Sequence, residues 1–294
     1  MKRAAYSVGF FLVLAGLTFA QRRYGGGEGG YIGEDVKTAR EVGSHSTGTE
    51  VWSNPKGFEK DVFTFVRIRY DRGNFGFGGF GRGGGRGGWS TDTPDSDLNL
   101  SFRLQQMTSL KVDPDGRYIR LTDPELATYP FIYIVEPGGL YLSEPEALAL
   151  RKYLLNGGFL LLDDFWGDRA WLNVAQELKK VFPERNFAEL GLEHPLYHCV
   201  FEIKAKAQVP NVDTGANSQY TGVTWETQHD GDVRTVHHRA IFDDKSRIMV
   251  LALHNTDNGD GWEREGEDDY YFHNFSEKVA YPLGINIVFY VMTH

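Results

Sequence analysis

The fold class is decided by one stretch of the chain, Asn156-Gly157-Gly158-Phe159-Leu160-Leu161-Leu162-Asp163-Asp164-Phe165-Trp166-Gly167. Its centre, residues 159–162, is apolar at every position, which is typical of a strand in a parallel sheet covered by helices on both faces. The carboxylates of Asp163 and Asp164 follow directly, at the carboxyl end of the strand, where open α/β sheets bind ligands. The stretch therefore predicts an α/β fold and a candidate site, without naming a reaction.

Strand and helix patterns alternate along the rest of the chain. A capping box, Ser143 with Glu146 three residues later, opens a helix that Gly157 ends. The predicted strands are residues 62–70, 131–135, 159–162, 194–204, 239–242 and 247–254, and the predicted helices are residues 95–110, 144–155, 168–182 and 274–292, the last kinked at Pro282. Residues 255–269 form a polar connection. This alternation predicts a three-layer α/β fold, with a mostly parallel sheet and helices on both faces.

The N-terminus has the features of a secretory signal peptide at residues 1–20. Lys2 and Arg3 precede an apolar run at residues 8–17, and Thr18-Phe19-Ala20 forms a cleavage site before Gln21. A retained membrane anchor is the alternative, but the apolar run is shorter than a spanning helix requires. We therefore expect an exported protein, periplasmic or secreted, with no stable membrane span after cleavage.

The charge and cysteine content restrict the partners. Cleavage removes the positive charges of Lys2 and Arg3 and shifts the formal net charge from −9 to −11. Such a protein repels nucleic acid and anionic membranes, so we expect neither as a partner. Cys199 is the only cysteine, which rules out an internal disulfide, and its apolar surroundings predict a buried, inert thiol.

The composition divides the chain into segments. Residues 21–60 are polar and glycine-rich, which predicts a flexible tether or a loosely packed arm. A single α/β domain is expected over residues 61–294. It is interrupted at residues 73–88, where ten of sixteen residues are glycine, and we interpret this segment as a disordered surface insertion. Arg-Gly-Gly runs bind RNA in other settings, but export and the acidic charge argue against that role here.

Polar residues follow several of the predicted strands, so we expect a ligand-binding rim at the carboxyl edge of the sheet. The alternative for one of the two adjacent aspartates is that it caps the helix that follows, because carboxylates favour helix N-termini. The candidate rim residues are Asp71, Glu136, Asp163, Asp164, Trp166, His198, His254 and Asn255.

Motifs for metal binding and catalysis are weak. The metal-ligand candidates are Asp163, Asp164, His194, His198 and His254, and Asn255-x-Asp257-x-x-Asp260 adds oxygen donors without the spacing of an EF-hand. The chain has no nucleophile elbow and no phosphate-binding P-loop, and Gly76-x-Gly78-x-x-Gly81 is a chance match in a glycine tract. No cofactor is expected. Residues 262–272 combine aromatic and charged side chains. This mixture is typical of a sugar-binding loop, and also of a loop whose aromatic side chains pack beneath a solvated acidic surface.

Several motifs in order resemble one bacterial family, that of domain of unknown function 4159, over residues 62–294. They are Thr91-Asp92-Thr93-Pro94-Asp95-Ser96-Asp97-Leu98-Asn99, the opening stretch, His194-Pro195 with His198, His254-Asn255-Thr256-Asp257 with Gly261-Trp262, and Tyr281-Pro282-Leu283-Gly284-Ile285-Asn286. The resemblance implies a flavodoxin-like or class I glutamine amidotransferase-like fold, in exported or membrane-tethered proteins, some fused to domains of the aerotolerance-operon type. It implies no activity. The amidotransferase triad has no counterpart here, because Cys199 is not on an elbow, and the glycine-rich insertion departs from the family.

The leading functional hypothesis is a non-catalytic exported domain that binds a protein, small-molecule or glycan ligand of the cell envelope at the rim. An aerotolerance-type membrane system is a partner by family analogy. The alternative is a hydrolase, metal-assisted or not, that uses Asp163 or Asp164 with His254 or His198 as acid, base or metal ligands.

Overall fold

The computed structural model describes residues 32–58, 61–73 and 88–294. The predicted signal peptide lies outside these ranges, as do the first part of the arm, residues 59 and 60, and residues 74–87 of the glycine-rich insertion.

The described residues form a seven-stranded sheet and a separate two-stranded ribbon. The strands are β1 (Val66–Ile68), β2 (Asp71–Arg72), β3 (Arg117–Ile119), β4 (Phe131–Val135), β5 (Leu140–Tyr141), β6 (Phe159–Phe165), β7 (Ala188–Glu189), β8 (His237–Phe242) and β9 (Ile248–His254). The main sheet has the order β3-β1-β4-β6-β9-β8-β7, and β2 pairs with β5. Strands β3, β1, β4, β6 and β9 are parallel, whereas β8 is antiparallel to both of its neighbours. This order does not conflict with the flavodoxin-like arrangement that the family resemblance implies.

Helices cover both faces of this sheet. They are α1 (Asp95–Met107), α2 (Glu144–Leu155), α3 (Gly167–Val181), α4 (Val212–Thr221), α5 (Asn258–Glu263), α6 (Asp269–Tyr271), a π-helical segment (Phe272–Ala280) and α7 (Tyr281–Thr293). Successive residues of β6 point to opposite faces of the sheet and so belong to two hydrophobic cores. Leu161 packs with α1, α5 and α7 on one face, and Leu160 and Leu162 pack with α2 and α3 on the other. The prediction of a mostly parallel α/β sheet with helices on both faces is confirmed. Among the described residues, no helix has both the length and the apolar composition needed to cross a lipid bilayer.

The predicted strand at residues 194–204 is wrong. The segment contains a 3-10 helix, Pro195–His198, and then an irregular stretch. The side-chain amide of Asn286 in α7 accepts hydrogen bonds from the backbone N–H groups of Val200 and Phe201 at 3.1 and 2.8 Å. A side chain thus satisfies donors that would otherwise pair with a strand. Cys199, expected to be buried, is partly exposed, and its thiol donates to Pro195 O at 3.3 Å.

The segment expected to be a polar connection contains α5, whose six residues are all buried. Its sequence, Asn-Gly-Asp-Gly-Trp-Glu, has two glycines and no apolar periodicity, so the local pattern gives no helix signal. The prediction also missed β3 and α4. The described part of the arm packs against the domain: Ala39 is buried, and Arg69 donates to Gly33 O and Val36 O.

Candidate functional site

A pocket of about 660 Å³ opens at the carboxyl ends of β4 and β6. Glu136 follows β4, Asp164 lies near the end of β6, and Trp166 precedes α3. The loop before α1 contributes Asp92, and α5 with its flanking residues contributes further carboxylates. The acidic and basic residues that line the pocket are Arg72, Asp92, Glu136, Asp164, Asp213, Glu226, His229, Asp257, Asp260, Glu263 and Arg264.

The two adjacent aspartates have different environments because β6 continues through them to Phe165. The pairing of β6 with β9 shifts register between Leu162 and Phe165, and Asp164 has a left-handed backbone with φ of 55°. Asp163 is fully buried, whereas Asp164 is partly exposed and lines the pocket. The indole N–H of Trp166 donates to Asp164 Oδ1 at 3.1 Å. Asp164 therefore faces the pocket, and Asp163 does not.

Asp163 forms hydrogen bonds with the first turn of α5. Its carboxylate accepts hydrogen bonds from Asn258 Nδ2 at 2.9 Å and from Gly259 N at 3.0 Å, both in the first turn of that helix. Burial raises the pKa of Asp163 to about 6, although these donors favour the ionised form. Neither aspartate accepts from the first residue of α3: Gly167 N donates to Asn255 Oδ1 at 2.9 Å instead. The alternative that one of the two aspartates caps α3 is therefore not found at Gly167 N. Asp163 instead accepts hydrogen bonds from the first turn of α5, almost a hundred residues later in the chain.

Three carboxylates converge in the pocket. Asp92, Asp164 and Asp257 each place one oxygen within 4.8 Å of the other two, and we call them the aspartate triad. Burial, followed by the charges of neighbouring carboxylates, raises the pKa of each well above its usual range. In Asp92, which is 8% exposed, Oδ2 has no hydrogen-bond partner among the described residues. The triad therefore crowds three carboxyl groups together, and one of their oxygens has no donor among the described residues.

Two further groups of potential ligands adjoin the triad: Asp92 with Asp260 and Glu263, and His45 with Asp95 and Glu263. Asp260 and Glu263 lie close to Asp92, and Arg264 Nε is 3.3 Å from Asp260 Oδ1 and 2.7 Å from Glu263 Oε2. His45 from the arm lies 3.1 Å from Glu263 Oε1. Burial, followed by the neighbouring carboxylate of Asp92, raises the pKa of Glu263 to about 11.

The rest of the wall is polar and internally bonded. Glu136 forms an ion pair with Arg72. Glu226 accepts from Asn211 Nδ2 at 2.7 Å and lies 3.2 Å from His229 Nε2. The imidazole of His229 stacks on Trp166, with ring centroids 6.2 Å apart. These contacts leave open space in front of the triad, bounded by aromatic, amide and guanidinium groups.

A buried arginine holds the loop that carries Asp92. Arg67 on β1 is fully buried and pairs with Asp97 through its Nε at 3.1 and 3.0 Å. Its Nη1 donates to Trp89 O at 3.0 Å and to Thr91 O at 2.7 Å. Because one guanidinium joins the loop to the first turn of α1, the position of Asp92 depends on a β1 side chain below it.

The structure separates the candidate rim residues. Glu136, Asp164 and Trp166 line the pocket, while Asp163 and Asn255 are buried beneath it. Asp71 lies outside the lining, exposed on β2, with its carboxylate 3.6 Å from Arg120. The histidine candidates also lie outside the lining: His254 bonds to Gly167 O and Arg239, His198 to Glu202 and Leu192 O, and His194 to Leu196 N.

Several lining residues were not among the sequence candidates. Asp92 lies in one of the motifs that resemble the family, and Asp257 and Asp260 lie in the pattern noted for its oxygen donors. Each is in a polar segment without a strand signal, so the sequence gives no reason to place it beside Asp164. Glu226, His229 and Arg264 carry no motif at all.

Comparison with known proteins identifies one family. The family described as domain of unknown function (DUF4159) matches residues 64–292, which include the aspartate triad and the whole seven-stranded sheet. No curated protein matches the chain.

Proposed function

Because the chain belongs to the family described as domain of unknown function (DUF4159), whose description assigns no activity, we propose its function from the site itself. The protein is a non-catalytic ligand-binding module, and its pocket at the carboxyl edge of the sheet takes positively charged groups.

One observation carries this proposal: the charge of the pocket is strongly unbalanced. Among the described residues that line it are eight carboxylates and two arginines. Both arginines are engaged by carboxylates, Arg72 by Glu136 and Arg264 by Glu263. Burial and the mutual repulsion of these carboxyl groups raise the pKa of each member of the aspartate triad, and a bound cation would replace their protons and relieve that repulsion. An anionic ligand would add to the repulsion.

The hydrolase alternative receives less support. It requires His254 or His198 beside Asp163 or Asp164. The ring of His254 is instead held between Gly167 O and Arg239, and burial lowers its pKa to about 4. His198 pairs with Glu202 at an exposed position outside the pocket lining.

A ligand panel tests the proposal. Thermal unfolding of the purified protein is followed with spermidine and divalent metal chlorides, and in parallel with sodium phosphate and sulfate, against sodium chloride of equal ionic strength. A cation at ten times its dissociation constant stabilises by about 1.4 kcal/mol, which raises the melting temperature by about 3–5 °C for a chain of this size. Anions should produce no rise beyond the salt control. The proposal is wrong if no cation stabilises the protein, or if phosphate stabilises it as much as the cations do.

We further propose that the protein acts after export, on the strength of the signal-peptide pattern at residues 1–20. N-terminal sequencing of the protein isolated from its native cell tests this, with Gln21 as the expected first residue. A mature chain that retains Lys2 and Arg3 would contradict it.

A further inference from the structure

We propose that the cation held by the pocket is a single hard divalent metal ion of the Ca²⁺ type, bound directly by Asp92, Asp164 and Asp257. The inference rests on the proposed cation-binding function and names the class of cation and the atoms that hold it.

The first support is the arrangement of the three oxygens. A Ca²⁺ ion bonds to oxygens at about 2.3–2.6 Å, so two ligands on opposite sides of it lie about 4.6–5.2 Å apart. One oxygen from each triad residue lies within 4.8 Å of the others. An ion among them can therefore contact all three without movement of the backbone.

The second support is independent of the clustering. Asp92 is 8% exposed and lines the pocket, yet its Oδ2 has no hydrogen-bond partner among the described residues. A buried carboxylate oxygen without a partner costs several kcal/mol unless a cation or donor compensates it. Asp163, the buried aspartate directly before Asp164, has hydrogen-bond partners for both of its carboxylate oxygens. The contrast indicates that Asp163 stabilises the fold through its hydrogen bonds, whereas Asp92 keeps an oxygen available for a ligand.

The neighbouring carboxylates show why there is one ion and where it lies. Asp260 Oδ2 accepts from Val212 N at 2.8 Å, and its Oδ1 faces Arg264. Glu263 lies between Arg264 and His45. A second divalent ion beside Asp260 and Glu263 would compete with the guanidinium of Arg264, which lies next to both carboxylates.

The ligand chemistry selects the metal. All three donors are carboxylates, without a thiolate or imidazole, and hard oxygen ligands favour Ca²⁺, Mg²⁺ and Mn²⁺ over Zn²⁺ or Cu²⁺. Mg²⁺ is usually held by only one or two protein carboxylates, while Ca²⁺ accepts three and adds water to reach six to eight ligands. The free volume of the 660 Å³ pocket leaves room for those waters or for a ligand that replaces them.

Isothermal titration of metal-stripped full-length protein with CaCl₂, MgCl₂ and MnCl₂ tests the inference. We expect one Ca²⁺ per chain, with affinity at least about tenfold higher for Ca²⁺ than for Mg²⁺. The isosteric variants Asp92→Asn, Asp164→Asn and Asp257→Asn should each lose at least about tenfold in affinity. Asn tolerates the left-handed backbone at positions 92 and 164 and caps α5 at position 257, so these changes preserve the fold.

Two matched variants serve as controls. Asp71→Asn and Glu202→Gln each neutralise an exposed carboxylate outside the pocket lining. Both should change Ca²⁺ affinity less than about threefold. The inference is overturned if the wild-type protein binds none of the three metals, or if the triad variants retain wild-type Ca²⁺ affinity. If spermidine still stabilises a protein that binds no metal, the cation-binding proposal stands and only this inference fails.

Discussion

The carboxylate of Asp92 occupies the space that a side chain at Gly259 would need, because a Cβ atom at position 259 would overlap Asp92 Oδ2. Gly259 N also donates to Asp163, which fixes the first turn of α5 at this point. Because Gly259 has no side chain, the carboxylate of Asp92 can lie close to those of Asp164 and Asp257.

The contact predicts that Gly259→Ala weakens cation binding although every carboxylate remains. The added methyl group must displace Asp92 or α5, and overpacking of this kind costs about 1–3 kcal/mol of stability. We expect Ca²⁺ affinity to fall at least about tenfold, measured by isothermal titration. Gly43→Ala is the control, because a Cβ atom there meets nothing within 4 Å. Unchanged affinity in Gly259→Ala would show that Asp92 does not hold the ion.

The buried ion pair between Arg67 and Asp97 predicts a large effect on stability. Arg67→Met leaves Asp97 buried without its cation and removes the donors to Trp89 O and Thr91 O. The free energy of unfolding should fall by about 3–5 kcal/mol in urea titrations. Arg117→Met, which removes a partly exposed pair with Glu125, should cost less than about 1 kcal/mol. Equal losses in the two variants would refute a special role for the buried pair.

Asn255, first considered as a rim residue, should act on stability. Its side chain accepts from Gly167 N and donates to Asp232 O and Thr235 O, each at 2.8–2.9 Å, and its backbone is left-handed with φ of 62°. Asn255→Ala leaves the buried Gly167 N–H without its acceptor, removes two partly buried hydrogen bonds, and should lower the free energy of unfolding by roughly 3 kcal/mol. The exposed Asn217→Ala should change it by less than about 0.5 kcal/mol. Wild-type stability in Asn255→Ala would return this residue to the list of ligand contacts.

His254 predicts a loss of stability in acid. Its pKa is lowered to about 4, first by burial and then by the charge of Arg239, whereas an unfolded histidine has a pKa of about 6.5. The unfolded state therefore takes up the proton first, and the free energy of unfolding falls by up to about 3 kcal/mol as the pH decreases from 7 to 4. In His254→Gln this fall should shrink by about that amount, measured by urea unfolding at both pH values. The exposed His273→Gln should leave it unchanged. A wild-type pH profile in His254→Gln would contradict the assignment.

The strand at residues 159–162 and the helices around it could be predicted because their signals are local. An apolar run shorter than a helix, a capping box and an amphipathic stripe each lie within one segment of chain. Local signals gave the wrong element at residues 194–204, where the side chain of Asn286, far along the sequence, accepts hydrogen bonds from the backbone N–H groups of Val200 and Phe201. They also failed at α5, whose six residues are buried by tertiary packing despite a sequence typical of a loop.

Three of the predicted rim residues line the pocket, whereas most of the carboxylates around them were not among the candidates. Asp164, Glu136 and Trp166 line the pocket at the edge where parallel strands end. Asp163 looked equivalent to Asp164 in sequence, and only the bulge in β6 gives the two carboxylates different environments. Asp92 and Asp257 come from polar segments far from Asp164 in the chain, and nothing in those segments indicates that they meet.

By itself, the sequence determined the α/β class, the edge of the sheet at which the pocket opens, and membership of a family without an assigned activity, because these depend on local periodicity and on motifs in order. Tertiary structure alone decided which carboxylates converge, which of them arginines neutralise, and which oxygen is left without a partner. The physical reason is that electrostatic interaction depends on the distance between groups in space. For residues such as Asp92, Asp164 and Asp257, which are far apart in the sequence, only the folded structure determines how far apart their carboxylates lie.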